Sequence, residues 1–232
     1  MKNIAIDAFN QGIKKVTIGF STGKDSLVGI DLLQKANIEF IPIYFYLLPG
    51  IQFVENSIKM YEDRFKMKVI MLPHPMIIAH LAHQDWQSFR ETKKLLQINW
   101  GTDSFKNLTH KYLQSIGKEN DFIYDCNCMK MADSINRYTL LKSRNDIDTE
   151  HKIIYLTKYF TDKDIFKYLD ENKIPLSKDY KIFGRSFDGL AYHYLTGVKK
   201  FHPNDYEYLK EHFDLIEAEI MRYELYKKHS NK

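Results

Sequence analysis

A chain of 232 residues with 44% apolar residues is long enough to bury a substantial core as one α/β domain with an extension. Its net charge of +4 is too mild to mark a nucleic-acid binder by itself, though it suits an anionic ligand. Cys126 and Cys128, the only cysteines, are too few and too close for a disulfide framework. No apolar run approaches the length of a membrane helix, and the N-terminus lacks the sections of a secretory leader, so the expectation is a cytoplasmic protein with no membrane partner.

In chain order, residues 4–12 read as a short lead-in helix and 15–20 as a first buried strand. A helix is predicted over 25–36 and a second buried strand over 40–46, which Pro49-Gly50 punctuates. Residues 52–65 form a helix in which Phe53, Ile58, Tyr61 and Phe65 share much of one face. A third strand spans 68–72. This β-α-β-α-β series predicts a parallel sheet with right-handed crossovers. Residues 76–117 read as a mainly helical insertion. A fourth strand at 121–125 leads to a helix over 130–142, and a fifth strand covers 152–156. Thr161 and Asp164 have capping-box spacing at the start of a helix through Asn172. Residues 177–189 read as a loop, followed by helices over 190–196 and 204–228. The fold expected is α/β: an open parallel five-stranded sheet flanked by helices, with a helical insertion and a helical C-terminal extension.

The segment Ser21-Thr22-Gly23-Lys24-Asp25-Ser26 joins the first strand to the following helix. Backbone N–H groups at such a junction are unpaired, and the helix start carries partial positive charge, so the junction suits phosphate. Ser21, Thr22 and Ser26 add hydroxyls and Lys24 a full charge. Gly23 allows a positive φ or close approach of an anion. An ordinary βα turn with a Ser cap is the plainer alternative, against which stands the compact set with Lys and Asp inside it. The spacing is not that of a Walker A loop.

This loop resembles the PP-loop of the ATP pyrophosphatase (adenine nucleotide α-hydrolase-like) superfamily, usually written S-G-G-x-D-S. Its S-T-G-K-D-S spelling is most similar to the branch of phosphoadenosine phosphosulfate (PAPS) reductases. The resemblance implies a Rossmann-like (HUP) sheet, ATP as ligand and magnesium with it. It divides the chain into a nucleotide-binding domain at 1–176, with 76–117 inserted, and an extension at 177–232. It also implies that the edge after the second strand, from Tyr44 through Tyr46 to Gly50, holds adenine and ribose largely through backbone groups. Here the chain has Leu47-Leu48-Pro49-Gly50 where the family often has an acidic or Thr-Gly element.

After the fourth strand, Lys130, Ser134 and Arg137 fall at i, i+4 and i+7 and are expected on one helical face, suited to a polyphosphate or sulfate. With Asp133 they match the G-x-R/K-x-x-(D/E)-S-x-x-R pattern of relatives, Cys128 standing near the usual glycine. A solvated helix face is the alternative. A loop at 181–189, with Arg185, reads equally as a ligand-closing segment or a surface turn.

Two cysteines do not make a zinc or iron–sulfur site, and His74, His80 and His83 are weak supplements, so plain, partly buried thiols are expected. No cysteine follows Cys128, whereas thioredoxin-dependent PAPS reductases carry a catalytic one near the C-terminus. The expected activity is therefore ATP cleavage at the α-phosphate, adenylating an acceptor that is a small molecule or nucleic acid and releasing pyrophosphate. Lys24 and Arg137 are the catalytic candidates. Ser21, Thr22, Gly23, Lys24, Asp25, Ser26, Tyr44, Tyr46, Lys130, Ser134, Arg137 and Arg185 are the nucleotide-binding ones, and Asp25 is the candidate magnesium ligand, with bracing of the loop as its alternative role. A sulfonucleotide reductase and a non-catalytic nucleotide-binding or interaction module remain as alternatives. A homo-oligomer or protein partner is left open.

Overall fold

The apolar run after residue 15 lies at the centre of the sheet. β1 (Lys15–Gly19) buries Val16, Thr17 and Ile18 and is paired on both sides. Its neighbours are β2 (Glu39–Tyr46) and β4 (Tyr124–Asn127), both parallel to it. The molecule is a computed structural model that describes residues 2–75, 104–187 and 189–230. Outside β2 lies β3 (Ile70–Pro73), also parallel, and outside β4 lies β6 (Ile153–Tyr155). A two-residue β5 (Ile147–Asp148) pairs antiparallel with β6 at the edge. The order is β3-β2-β1-β4-β6-β5.

The sheet thus has six strands where five were expected. The additional β5 sits in the polar stretch Ser143-Arg144-Asn145-Asp146-Ile147-Asp148, where a pair of residues carries no periodicity to read. The sequence runs outward from β1 through β2 to β3, then returns to β4 on the other side. The order therefore reverses between β1 and β4, and a crevice opens there beyond the strands' C-terminal ends.

The helices follow their signals closely in the first half. α1 (Ile4–Asn10) is capped by the Asn3 side chain. α2 (Lys24–Lys35) buries Leu27, Val28, Ile30, Leu32 and Leu33. α3 (Gln52–Phe65) buries the four predicted core residues. Of the 76–117 insertion, residues 76–103 lie outside the described residues, and α4 (Phe105–Ser115) accounts for a helical part.

The helix expected over 130–142 is broken. A 3-10 turn (Met131–Asp133) precedes α5 (Ile135–Lys142), and Ser134 between them is extended, with φ −167° and ψ 162°. The cause is local. Asp133 accepts the Lys130 amide at 3.3 Å, and Ser134 Oγ accepts the Arg137 amide at 3.2 Å. Asp and Ser cap helices better than they continue them.

α6 (Asp162–Glu171) begins with the predicted reciprocal Thr161–Asp164 cap. The loop expected at 177–189 contains a short helix, α7 (Lys178–Phe183), closed by Gly184 at φ 72°. α8 (Tyr192–Phe201), α9 (Pro203–His212) and α10 (Ile216–Ser230) complete the chain. The single helix expected over 204–228 is split because Phe213 turns extended to bury its ring. The core runs across residue 176 without interruption: Phe53 of α3 meets Phe187 at 5.1 Å and stacks on His202 at 4.6 Å. Asp205 accepts the Gln52 and Phe53 amides at 2.7 and 3.1 Å, capping α3 from the extension. Among the described residues no helix is long and apolar enough to cross a membrane.

Candidate active site

The loop after β1 is held by its own hydroxyls. Ser26 Oγ donates to the Gly23 carbonyl at 2.9 Å, and the Gly23 amide donates to Ser21 Oγ at 3.3 Å. Thr22, not Gly23, takes the left-handed conformation, at φ 57°, and its hydroxyl bonds the Ser21 carbonyl at 2.6 Å. Gly23 caps α2 in extended backbone, φ −85°. What favours glycine there is space, because a Cβ would stand 3.1 Å from Ser21 Oγ and 3.2 Å from Ser186 Oγ, and both hydroxyls would have to give way by a few tenths of an ångström. With no side-chain cap, the first amides of α2 face the crevice with the dipole's positive end.

A charge network joins this loop to the β4 arm. Lys130 Nζ lies 2.6 Å from Asp25, 2.8 Å from Asp133 and 3.3 Å from Asp162. Lys24 Nζ is 3.3 Å from both Asp25 and Asp162. Arg137 pairs with Asp133. Three cations therefore meet three carboxylates. Lys130 is 1% exposed, so burial works against its charge, but hydrogen bonds to Asp133 and Asp25 outweigh it and raise the pKa. Burial likewise opposes the charge of Lys24, and Asp25 leads the attractions that raise its pKa. Asp133 is lowered: burial would raise it, but Lys130 and Arg137 hold it ionised.

The expected face of Lys130, Ser134 and Arg137 does not form, because the extended backbone at Ser134 separates Lys130 from α5. Lys130 turns inward to Asp25, Ser134 is spent capping α5, and only Arg137 of the three reaches the cavity wall.

That cavity, of about 690 Å³, occupies the crevice at the switch point. Ser21, Asp25 and Ser26 line its loop end, Tyr44, Phe45 and Leu47 its β2 edge, and Cys126, Asn127, Asp133 and Arg137 its β4 side. Lys24 and Lys130 stand behind Asp25 and Asp133 rather than in the wall. Tyr46 does not line the cavity. Arg185 is exposed, its guanidinium 6.0 Å from the Tyr194 ring, and it is absent from the wall; its neighbour Phe187 lines the cavity instead.

Several lining residues escaped the sequence reading: Thr17, Asp125, Asn127, Lys106, Thr109 and Phe187. For two of these a signal existed. Thr17 and Asp125 are polar residues inside apolar strands, and the register pairs them directly. Asp162, read only as part of a helix start, joins the lysines through folding alone.

Both thiols line the cavity, but neither is activated. Burial pushes Cys126 well above its ordinary value, and burial with the nearby Asp25 charge pushes Cys128 up to about 12. Among the described residues no group of three or more His, Cys, Asp or Glu side chains could hold a metal. Both Asp25 oxygens are engaged by lysines. The donor set therefore fits magnesium only as one carboxylate beside phosphate oxygens.

No family model matches the chain, and no curated protein matches its sequence. Solved structures do. The FMN adenylyltransferase of Candida glabrata, in complex with FMN and an ATP analogue, is similar with TM-score 0.50 and 10% identity, over 77% of this chain and 59% of that one. The chain thus spans about three fifths of that enzyme. The NH3-dependent NAD synthetase of Campylobacter jejuni gives TM-score 0.45 and 11% identity over 94% and 89% of the two chains. The NMN synthetase of Francisella tularensis gives 0.44 and 14% over 74% and 68%. The likeness is one of architecture: with its loop at the end of β1 and its crevice at the β1/β4 switch point, the chain shares the α/β fold of that FMN adenylyltransferase.

Proposed function

We propose that the chain binds ATP in the β1/β4 crevice and cleaves it at the α-phosphate, as a cytoplasmic enzyme of the PAPS reductase-like branch. The observation that carries this reading is the meeting of the S-T-G-K-D-S loop with Lys130 and Arg137 through shared carboxylates at one cavity. A nucleophilic oxygen of an acceptor forms a bond to Pα as the bond from Pα to the bridging oxygen breaks. Pyrophosphate leaves with that electron pair, and the acceptor's proton passes to solvent. The work of the protein is placement and charge neutralisation. The α2 amides, Ser21 and Ser26 hold the β- and γ-phosphates. Lys24 and Lys130 exchange part of their hold on Asp25 and Asp162 for phosphate oxygens. Arg137 at the wall meets the charge that develops on the leaving group. Asp25 would hold magnesium beside the phosphate oxygens, where the metal would neutralise charge on the triphosphate.

The raised thiols disfavour a sulfonucleotide reductase, whose chemistry needs a thiolate. The test is calorimetric titration with ATP plus magnesium, and with PAPS, followed by pyrophosphate release against acceptor panels. Lys24→Ala is expected to weaken ATP binding and to abolish pyrophosphate release. Tighter binding of PAPS than ATP, or ATP binding unchanged in Lys24→Ala, would refute the proposal.

A further inference from the structure

The cavity has a second end that the triphosphate reading does not use. Thr17 lies four residues before Ser21 on β1, roughly 13 Å along an extended strand, which is farther than a phosphate at the loop can reach. In register beside it is Asp125 of β4. Thr17 donates its hydroxyl proton to Asp125 Oδ1. Among the described residues this is the one hydrogen bond its carboxylate makes, and no ion pair neutralises it; burial raises its pKa, while the Thr17 hydrogen bond and the more distant Lys106 and His110 draw it down. Lys106 lines the same region, but its ammonium donates to the His151 carbonyl at 3.1 Å. A half-buried carboxylate with one hydroxyl partner is left with acceptor capacity facing a cavity.

The chemistry of this floor is one-sided. An ionised carboxylate only accepts hydrogen bonds, and the Thr17 proton is already committed, so both groups offer lone pairs. The same cavity has an aromatic wall: Phe45 and Phe105 meet edge to face at 4.7 Å, and His74 meets Phe105 at 5.0 Å. Flat apolar walls with a few directed polar groups suit a planar ring.

We infer that the Thr17–Asp125 pair recognises an amino group carried on a planar heteroaromatic ring, and so decides which ring the cavity accepts. The inference rests on the nucleotide reading of the cavity. The ring is the base of the nucleotide itself or that of a nucleobase-like acceptor, and the chemistry is the same for both. A ring with a carbonyl oxygen at that position would set oxygen against oxygen and leave buried acceptors unpaired.

The experiment is titration of the full chain with matched amino and oxo ligands. One arm compares ATP with inosine triphosphate. The other saturates the site with the ATP analogue AMPCPP and compares cytidine with uridine. In one arm the amino ligand is expected to bind at least about tenfold tighter. Asp125→Asn, which can donate as well as accept, is expected to bring that ratio near unity. A preference in the first arm assigns the pair to the nucleotide base, and one in the second assigns it to the acceptor. Should Asp125→Asn not fold, Thr17→Val removes the hydroxyl that orients the carboxylate and carries the same comparison. No amino preference in either arm, or a preference that survives both substitutions, would overturn the inference. Tripolyphosphate is the control: binding that Lys24→Ala abolishes, with no amino preference, sinks this inference alone. Absence of both ATP and tripolyphosphate binding sinks the nucleotide reading and this inference with it.

Discussion

Gly29 is the position where a single added carbon tests how the two arms of the site are spaced. It sits in α2, one and a half turns past the loop at residues 21–26, and the Cys128 thiol of the β4 arm packs against it. A Cβ at Gly29 would stand 2.4 Å from Cys128 Sγ and 3.1 Å from Ile18 Cδ1. Ordinary non-bonded contact is about 3.5–4.0 Å, so the sulfur must retreat by roughly 1 Å. Cys128 lies between β4 and Lys130, and its chain is held at both ends, by the strand pairing and by the buried lysine. Overpacking of this kind costs about 1–3 kcal/mol, and exchanging a helical glycine for alanine returns up to about 1 kcal/mol. Gly29→Ala is therefore expected to destabilise by about 1–2 kcal/mol. Cys128→Ala removes the obstructing sulfur and leaves a space that the new methyl fills. In that background Gly29→Ala is expected to be neutral or stabilising, giving a coupling energy of about 2 kcal/mol. Urea unfolding of the four proteins measures this, with a midpoint shift of roughly 1 M for the single Gly29 variant at a typical slope. ATP affinity should fall with Gly29→Ala and recover in the double variant. A Gly29→Ala protein as stable as the parent, or additive effects of the two substitutions, would refute the argument that this contact sets the spacing.

The buried Lys130 gives a second expectation. Lys130→Met keeps much of the bulk and leaves Asp25, Asp133 and Asp162 short of a cation, so it should lower both stability and ATP affinity; an unchanged melting temperature and affinity would remove Lys130 from the site. Asp146 accepts hydrogen bonds from Lys158 at 2.8 Å, Lys2 at 2.6 Å and Tyr159 at 2.7 Å. Burial would raise its pKa, but these partners hold it down at about 2. A depressed carboxyl contributes stability that is present above its unfolded pKa and lost as pH falls from near 4 towards 2. Asp146→Asn should therefore cost up to about 2 kcal/mol at pH 7 in urea unfolding, with the difference from the parent vanishing near pH 2. The Cys128 thiol, pushed up to about 12, should alkylate with iodoacetamide at pH 8 far more slowly in the folded chain than in urea. Equal rates by mass spectrometry would show that the thiol is neither buried nor raised.

Much of the scaffold was legible along the chain, because local patterns carry it. Apolar runs bounded by turn residues marked β1, β2, β3 and β6, whereas β4 starts three residues later than the expected 121–125 because its own residues Tyr124-Asp125-Cys126-Asn127 carry no apolar run. Four core residues at helical spacing marked α3 to the residue. The βα junction at residues 21–26 was legible because a strand, a small-residue turn and a helix start are consecutive in sequence. Periodicity misled where a side chain competes with its own backbone. Lys130, Ser134 and Arg137 have helical spacing, yet Asp133 and Ser134 bond nearby amides and break the helix there.

What the tertiary structure alone decided are the contacts between distant segments. Asp162 joins Lys24 and Lys130 across more than thirty residues on one side and more than a hundred on the other. Thr17 meets Asp125 only because the sheet order places β4 beside β1. Phe187, rather than Arg185, reaches the cavity because Gly184 turns the chain after α7. Hydrophobic periodicity is a property of neighbours in sequence and writes secondary structure directly. Charge pairing and cavity shape arise between residues far apart in the chain, and no local pattern encodes which of them the packed sheet brings together.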